Sequence, residues 1–413
     1  MGGIALQSMI GSLRPLDGIR VLTVENFLAG PFCSMWLADA GAEVVKIESP
    51  DGGDFARSTE PVKVDSEGRD RGLSFLRSNR NKKSVTLDLK RPEGKAMFIE
   101  LARHADIVVE NLRPGAMDRL GIGYQHLRKV NAALIYVAIS GFGQRDILPS
   151  PYKDHPAFDI VGQALSGLMY RPERKDDRPV YLGFSLTDIE AGILGAYGAM
   201  LALFQRHRTG QGQMVDISLY DASLILNEIS VTMFSVFKQP SKPGVHAVTA
   251  PFGTYQTNDG YIVVAVLGER IWERFCAVIG QPQLKADPRF KDGVLRQANL
   301  GELNSSIEPW MRARSKAAAV QALLAGGVPA SPVQDVGELF DCPHVAARNM
   351  LMTLDDPLWG AVRVAGNPVK MSAVPEVEAN SPPTLGQHTE EILKRWLNVS
   401  DADLAGLRER GIA

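Results

Sequence analysis

The stretch LGFSLTDIEAGILGAYGAMLALFQRHRTGQGQMVDISLY, Leu182 to Tyr220, reads as a loop, a long helix, a glycine turn and a strand. Thr187 and, three residues on, Glu190 have the capping-box form, in which hydroxyl and carboxylate each satisfy a backbone N–H left open by the first turn. Asp188 then lies on the first helical turn, where an acidic side chain offsets the macrodipole by about 0.3–1 kcal/mol. Ile189, Leu194, Met200, Leu201, Leu203 and Phe204 supply an apolar run, and Gly192, Gly195 and Gly198 leave room for a neighbouring backbone. Arg206, His207 and Arg208 complement the negative end, and Gly210 and Gly212 stop the helix. A Thr-Asp-x-Glu alone marks a helix start more often than an active site, so Asp188 takes its meaning from the rest of the chain.

Upstream, the pattern alternates strand and helix. Arg20 to Glu25 (RVLTVE) is a short apolar strand, Ala29-Gly30-Pro31 opens a helix, and Glu43 to Glu48 (EVVKIE) is the next strand. Pro is tolerated there because the first turn has no use for its N–H. The turn FLAGPF lacks the GxGxxG of a dinucleotide site. Ser49 to Arg71 reads as an irregular polar surface segment. Strands follow at Ser84 to Leu89, Ala105 to Glu110 and Leu134 to Ser140, with a helix from Pro92 to about His104. Such alternation implies a mostly parallel sheet with helices on both faces. Ligands of such sheets sit beyond the carboxyl ends of the strands. Those ends carry Glu25-Asn26-Phe27, Ser49, Asn111-Leu112-Arg113 and Ser140-Gly141-Phe142-Gly143. The basic cluster Arg77, Arg80, Lys82 and Lys83 is either a solvated face or a cradle for phosphates.

Downstream, the strand-like runs Gly253–Thr257 and Tyr261–Leu267 flank Asn258-Asp259-Gly260, a hairpin signal. Residues 225–330 read as a small α+β domain inserted into a large one that spans 1–224 and resumes at 331–413. In the last part Gly360 to Val369 suggests a strand pair and Pro375 to Pro383 an extended connector. His388 to Leu397 forms an amphipathic helix with Ile392, Leu393, Trp396 and Leu397 on its apolar face.

With 413 residues, two domains are the prior expectation. Lys plus Arg number 45 against 47 Asp plus Glu, a net charge of −2, which argues against nucleic acid or an anionic membrane as partner. Cys33, Cys276 and Cys342 form no CxxC pair, so neither a disulfide framework nor a metal site is expected, and a cytoplasmic setting fits. No apolar run reaches the ~18–20 residues of a membrane span. The beginning of the chain lacks the basic segment of a signal peptide, and Leu6 stands where a myristoylation signal has Ser or Thr.

Five stretches, LDGIRVLTVENFLAGPFCSMWLADAGAEVVKIE, SNRNKKSVTLDLK, ADIVVENLRPGAMDRLGIG, LTDIEAGILGAYGAMLALFQRHRTGQGQMVDISL and AGGVPASPVQDVGELF, together resemble the class III CoA-transferases. The resemblance implies an α/β fold, a Rossmann-like large domain with a parallel sheet plus a smaller α+β domain, in an interlocked homodimer whose C-terminal segment wraps the partner. It implies Asp188 as the catalytic carboxylate and coenzyme A beside Phe27, Leu28 and Ala29, with Lys82, Asn111 and Arg119 as nucleotide contacts. Ser49 and Ser140 depart from the formyl-CoA transferase pattern, so Arg57 or Arg80 would supply the missing phosphate contacts.

The implied reaction needs no tightly bound cofactor, only a coenzyme A thioester and a small carboxylic acid as substrates. Asp188 would attack the thioester, release CoA thiolate and hold the acyl group as an anhydride until a second acid replaces the first. A helix N-terminus would favour its ionised form. A glycine loop of the small domain, bracketed by Gly244 and Gly253, would close over it. Phe27, Phe158, Tyr170 and Tyr181 would form the pocket mouth, and Arg171 and Arg174 are candidates for the second carboxylate of a dicarboxylic acid. Two other functions fit the resemblance. An acyl-CoA racemase would need a histidine where Phe158 stands, with His155 as the only nearby substitute. A non-catalytic CoA-binding protein would have no use for Asp188 together with Asn111 and Arg119.

Overall fold

The structure, a computed structural model, describes residues 13–144, 147–170, 178–238, 246 and 248–413. Leu6, Arg171, Arg174 and Gly244 lie outside the described residues. The described residues form two compact units, one drawn from positions 13–169, 181–228 and 346–413, the other from positions 170, 178–180 and 229–345.

The first unit is built on strands β1 (Arg20–Val24), β2 (Glu43–Glu48), β5 (Lys83–Thr86), β6 (Ile107–Glu110), β7 (Ile135–Ser140) and β8 (Met214–Ser218). They form one sheet in the order β5-β2-β1-β6-β7-β8, and every neighbouring pair is parallel. The expected strands are all present: β2 has the expected bounds, β1, β6 and β7 are shorter by one or two residues, and β5 begins one residue earlier and ends three residues earlier. A short antiparallel pair, β3 (Val62–Val64) and β4 (Asp70–Gly72), lies between β2 and β5 in the chain. The helices that matter for the site are α1 (Ala29–Asp39), α2 (Pro92–Arg103), α3 (Ala116–Leu120), α4 (Asp159–Leu165) and α5 (Leu186–Thr209).

Because successive strand residues point to opposite faces, Val21, Val44, Ile107 and Val137 face one core and Leu22, Val45, Val108 and Tyr136 the other. The first core is closed by α1 and α5. The second is closed by α2 and by the C-terminal helices Thr389–Leu397 and Asp401–Glu409, through Ile392, Leu393, Trp396 and Leu404. The chain runs outward from β1 through β2 to β5, then returns to β6 on the other side of β1. Between β1 and β6 the strand order reverses, and there the carboxyl ends leave a crevice.

Helix α5 corrects the expectation for its own stretch. Its buried residues are the small ones, Ala191, Gly192, Gly195, Ala196, Ala199 and Ala202, whereas Tyr197, Leu201 and Phe204 are exposed. Small residues face inward because α1 passes very close: a Cβ at Gly192 would stand 2.9 Å from the carbonyl oxygen of Ala29 and 3.1 Å from the amide nitrogen of Cys33. The capping box is absent too. Thr187 is already inside the helix, so its hydroxyl turns to Asp159 instead of back to its own turn. At the other end Gly210 takes the left-handed conformation, φ +70°, and its N–H bonds Arg206 O. By length and composition alone α5 meets the criterion for a membrane span, as a buried core helix also does. Here it packs on α1 and on the sheet.

The segment from Ser49 to Arg71 also differs from expectation. Asp54, Arg57 and Arg71 are buried. Arg71 reaches Asp356, an ion pair between residues too far apart in the chain to be foreseen. The connector before the last helices is tied to its own unit: Arg71 and Arg57 donate to the carbonyls of Pro382 and Pro383, and Asn380 N–H donates to Asn81 Oδ1. Asp356 ends β12 (Leu351–Asp356), which pairs antiparallel with β13 (Gly360–Ala365).

The second unit carries the expected hairpin, β9 (Phe252–Gln256) with β10 (Tyr261–Ala265), extended by β11 (Ala330–Pro332). Trp272, Phe275, Leu303, Ile307 and Met311 fill its core.

Candidate active site

The crevice between β1 and β6 is fastened by a reciprocal pair of bonds. Asn26 N–H donates to Asn111 Oδ1 at 2.8 Å, and Asn111 Nδ2 donates to Asn26 O at 2.9 Å. Phe27 follows with φ +60°, a conformation a bulky side chain rarely adopts, and its N–H is caught by Asp54 Oδ1 at 3.0 Å. Asp54 is itself bound to Lys46 Nζ at 2.8 Å. A buried ion network therefore fixes the turn that leads into α1 and turns the Phe27 ring outward, stacked on Phe55 and edge-on to Phe158.

Phe27, Leu28, Ala29 and Asn111 line a cavity of about 450 Å³ together with Arg113, Ser140, His155, Phe158 and Asp188. A second cavity of about 370 Å³ is lined by Phe27, Leu28, Arg77, Phe158, Tyr181 and, again, Asp188. Asp188 thus stands where two hollows meet. Its carboxylate accepts no hydrogen bond from a described residue, which leaves both oxygens available. Burial and the neighbouring Asp159 carboxylate push its pKa up to about 7, against the charge of Arg77, which pulls it down. The expectation of a carboxylate kept ionised by the helix N-terminus is corrected accordingly: loss of hydration outweighs the dipole.

Asp159 is buried at the start of α4. One oxygen accepts from Thr187 N–H at 2.7 Å and from the Thr187 hydroxyl at 2.9 Å; the other accepts from Gln163 Nε2 at 2.7 Å. It thereby caps α5 from outside that helix, at the residue directly before Asp188. Sequence reading passed over Asp159 because its partners lie 28 residues on; the signal was present in an aspartate directly before an apolar helical run.

The basic residues divide into two groups. Lys82 is fully buried and bonds Glu25 at 2.9 Å, Pro31 O at 2.8 Å and Asn79 at 2.9 Å. Burial lowers its pKa to about 8, and Glu25 opposes the shift. Arg57 grips both oxygens of Glu48 at 2.7 Å, and Arg80 grips Asp39 at 2.6 and 3.0 Å. All three lie outside the two cavity linings and have their charges matched inside the protein. Arg119, on α3, is exposed and also outside the linings. Arg77 and Arg113 are exposed and do line the cavities, one each. Ser140 Oγ, flagged in the sequence only as a departure, is buried in the larger cavity's lining and has no hydrogen-bond partner among the described residues. Phe158 and His155 also line that cavity, with His155 packed edge-on to Phe142. Of the other expected mouth residues, Tyr181 lines the smaller cavity and Tyr170 belongs to the second unit. Gly253 lies in β9.

Comparison with solved structures places a CAIB/BAIF family protein from Brucella suis at TM-score 0.80 and 29% identity, covering 93% of this chain and all of the other. Rv3272 of Mycobacterium tuberculosis superposes at TM-score 0.81 with 31% identity, over 92% of this chain and 99% of its own. Among characterised relatives, the succinyl-CoA:mesaconate CoA-transferase of Haloarcula hispanica is 37% identical over 92% of this chain and 95% of its own. The succinyl-CoA–D-citramalate CoA-transferase of Chloroflexus aurantiacus is 36% identical over 97% and 98%. The succinyl-CoA:glutarate CoA-transferase of Mus musculus is 33% identical over 98% and 92%. The family model for CoA-transferase family III matches residues 16–389, and with it the chain belongs to CoA-transferase family III.

Proposed function

We propose that the protein moves coenzyme A from a succinyl-CoA-type donor to a short dicarboxylic acid, with Asp188 as the nucleophile. The observation that carries this reading is the unbonded Asp188 carboxylate at the meeting of two cavities. The larger would take the pantetheine arm beside Phe27, Leu28, Ala29 and Asn111, with Ser140 as a further polar contact and Arg113 and Arg119 toward the phosphates. The smaller would take the acid. Matched ion pairs make Lys82, Arg57 and Arg80 supports of this surface.

In this reading a carboxylate oxygen of ionised Asp188 attacks the thioester carbon, the C–S bond breaks, and CoA leaves as thiolate. The acceptor carboxylate then attacks the aspartyl carbonyl of the anhydride and expels the first acid as its anion. Thiolate finally attacks the acceptor's acyl carbon, and the C–O bond breaks to return Asp188. The two cavity linings share Phe27, Leu28 and Phe158 beside Asp188, apolar groups that would help to keep water from the anhydride.

An interlocked homodimer of large and small domains completes the proposal. Its support is the exposed stripe Tyr197, Leu201 and Phe204 on α5, and the helix Glu228–Phe237, none of whose residues is buried. A reducing cytoplasm suits its unpaired cysteines. Asp188→Asn, assayed with succinyl-CoA and a panel of free acids by mass spectrometry, tests the assignment. Transfer is expected to be lost with the circular dichroism spectrum unchanged, and turnover near the wild-type rate would overturn it.

A further inference from the structure

Four basic residues lie within seven positions of one another, and three are spent on structure. Arg80 is bound to Asp39, Lys82 to Glu25, and Lys83 to Glu43 and Glu391. Arg77 differs. It is exposed, and its guanidinium makes no hydrogen bond or ion pair with a described residue. It lines the smaller cavity with Asp188, and the polar groups of that lining include the hydroxyls of Thr59, Ser74, Tyr181 and Ser185 beside the apolar Phe27, Leu28, Phe158 and Ile160. The carboxylates of that lining are Asp188 and the buried Asp159, whose oxygens are taken by Thr187 and Gln163. A guanidinium without an ion pair in a cavity that also carries hydroxyls suits an anion, and its planar fork matches a carboxylate.

We propose that Arg77 binds the non-reacting carboxylate of a dicarboxylic substrate and so sets the preference for diacids over monoacids. The inference rests on the transferase reading of Asp188. Once the reacting carboxyl is engaged at Asp188, the far end of a four- or five-carbon diacid remains in the same cavity, and Arg77 is the cation that cavity offers. A hydroxyl lining alone would hold either kind of acid; an unpaired cation favours the one that brings a second negative charge. The cavity volume of about 370 Å³ leaves room for such an acid.

The test compares Arg77→Met and Arg77→Lys with wild type, using succinyl-CoA or butyryl-CoA as donor and glutarate or butyrate as acceptor. Taking the ratio of kcat/KM for glutarate to that for butyrate, Arg77→Met should lower the preference by about tenfold or more, the loss typical of removing one partner of a close charge pair. Arg77→Lys should fall between. Equal loss for both acids, or no loss for either, would overturn the proposal. A wild-type enzyme without transferase activity would instead overturn the reading on which it rests, so the two failures are distinct.

Discussion

Asp159 holds Thr187 by two bonds to one oxygen, 2.7 Å from the backbone N–H and 2.9 Å from the hydroxyl, one residue before Asp188. The same carboxylate that caps helix α5 therefore faces the proposed nucleophile with a like charge. Positioning and electrostatics are carried by one side chain.

Asp159→Asn should separate these roles. Its amide oxygen can still accept from Thr187, but its NH2 group then meets Gln163 Nε2 donor to donor, so a stability loss of about 1–3 kcal/mol is expected. Burial still raises Asp188 but the added push of the Asp159 charge is gone, so the acid limb of kcat/KM, expected near the Asp188 pKa of about 7, should move to lower pH. An unmoved limb in a folded variant would show that Asp159 does not set the titration.

Lys82 and Arg80 should behave as structural residues. Each is buried with a carboxylate partner, and removing one member of such a pair costs about 3–5 kcal/mol by leaving the other charge stranded. Lys82→Met and Arg80→Met are expected to lower the urea midpoint sharply. Arg113→Ala, exposed at the cavity, should raise KM for the CoA ester with little change in midpoint. If Lys82→Met changed only KM, the assignment of Lys82 to the framework would be mistaken.

Glu110 gives a stability signature in pH. Burial raises its pKa to about 8, opposed by the Leu112 N–H and aided by Asp118 and Asp216. Its folded pKa lies above the unfolded value of 4.5, so the native state holds the proton longer. The resulting stabilisation is complete below pH 4.5 and is lost as pH rises through 8. Glu110→Gln lacks this loss, so its melting temperature should gain on wild type between pH 5 and 9 by the equivalent of about 4 kcal/mol. Parallel melting curves across that range would contradict the buried titration.

Gly192 tests how α5 and α1 share the site. An alanine there would put its methyl 2.9 Å from Ala29 O, so α1 must shift where Ala29 lines the cavity. Gly192→Ala should cost about 1–3 kcal/mol and raise KM for the acyl-CoA. Unchanged values of both would mean that the helices adjust freely.

The sheet was legible because its strands are short apolar runs between helical patterns, and the parallel order follows from that alternation. Asp188 was legible as a first-turn residue, and the resemblance pointed to its chemistry. What the sequence hid was pairing. Arg57 and Arg80 look like phosphate ligands until Glu48 and Asp39 are found beside them, and Arg77 looks like its neighbours until it is found without a hydrogen bond or ion pair among the described residues. In α5 hydrophobic size ranks Leu201 and Phe204 above Ala199 and Ala202, yet the small residues are the buried ones. The close approach of α1, which reverses that ranking, was legible in Gly192 as room for a neighbouring backbone.

The most direct measurement is trapping. Incubation with isotope-labelled succinyl-CoA and hydroxylamine, followed by peptide mass spectrometry, should convert one carboxyl of the protein to a hydroxamate, at Asp188, in step with loss of transferase activity. A hydroxamate at another residue, or continued transfer with Asp188 unmodified in every turnover, would contradict the account.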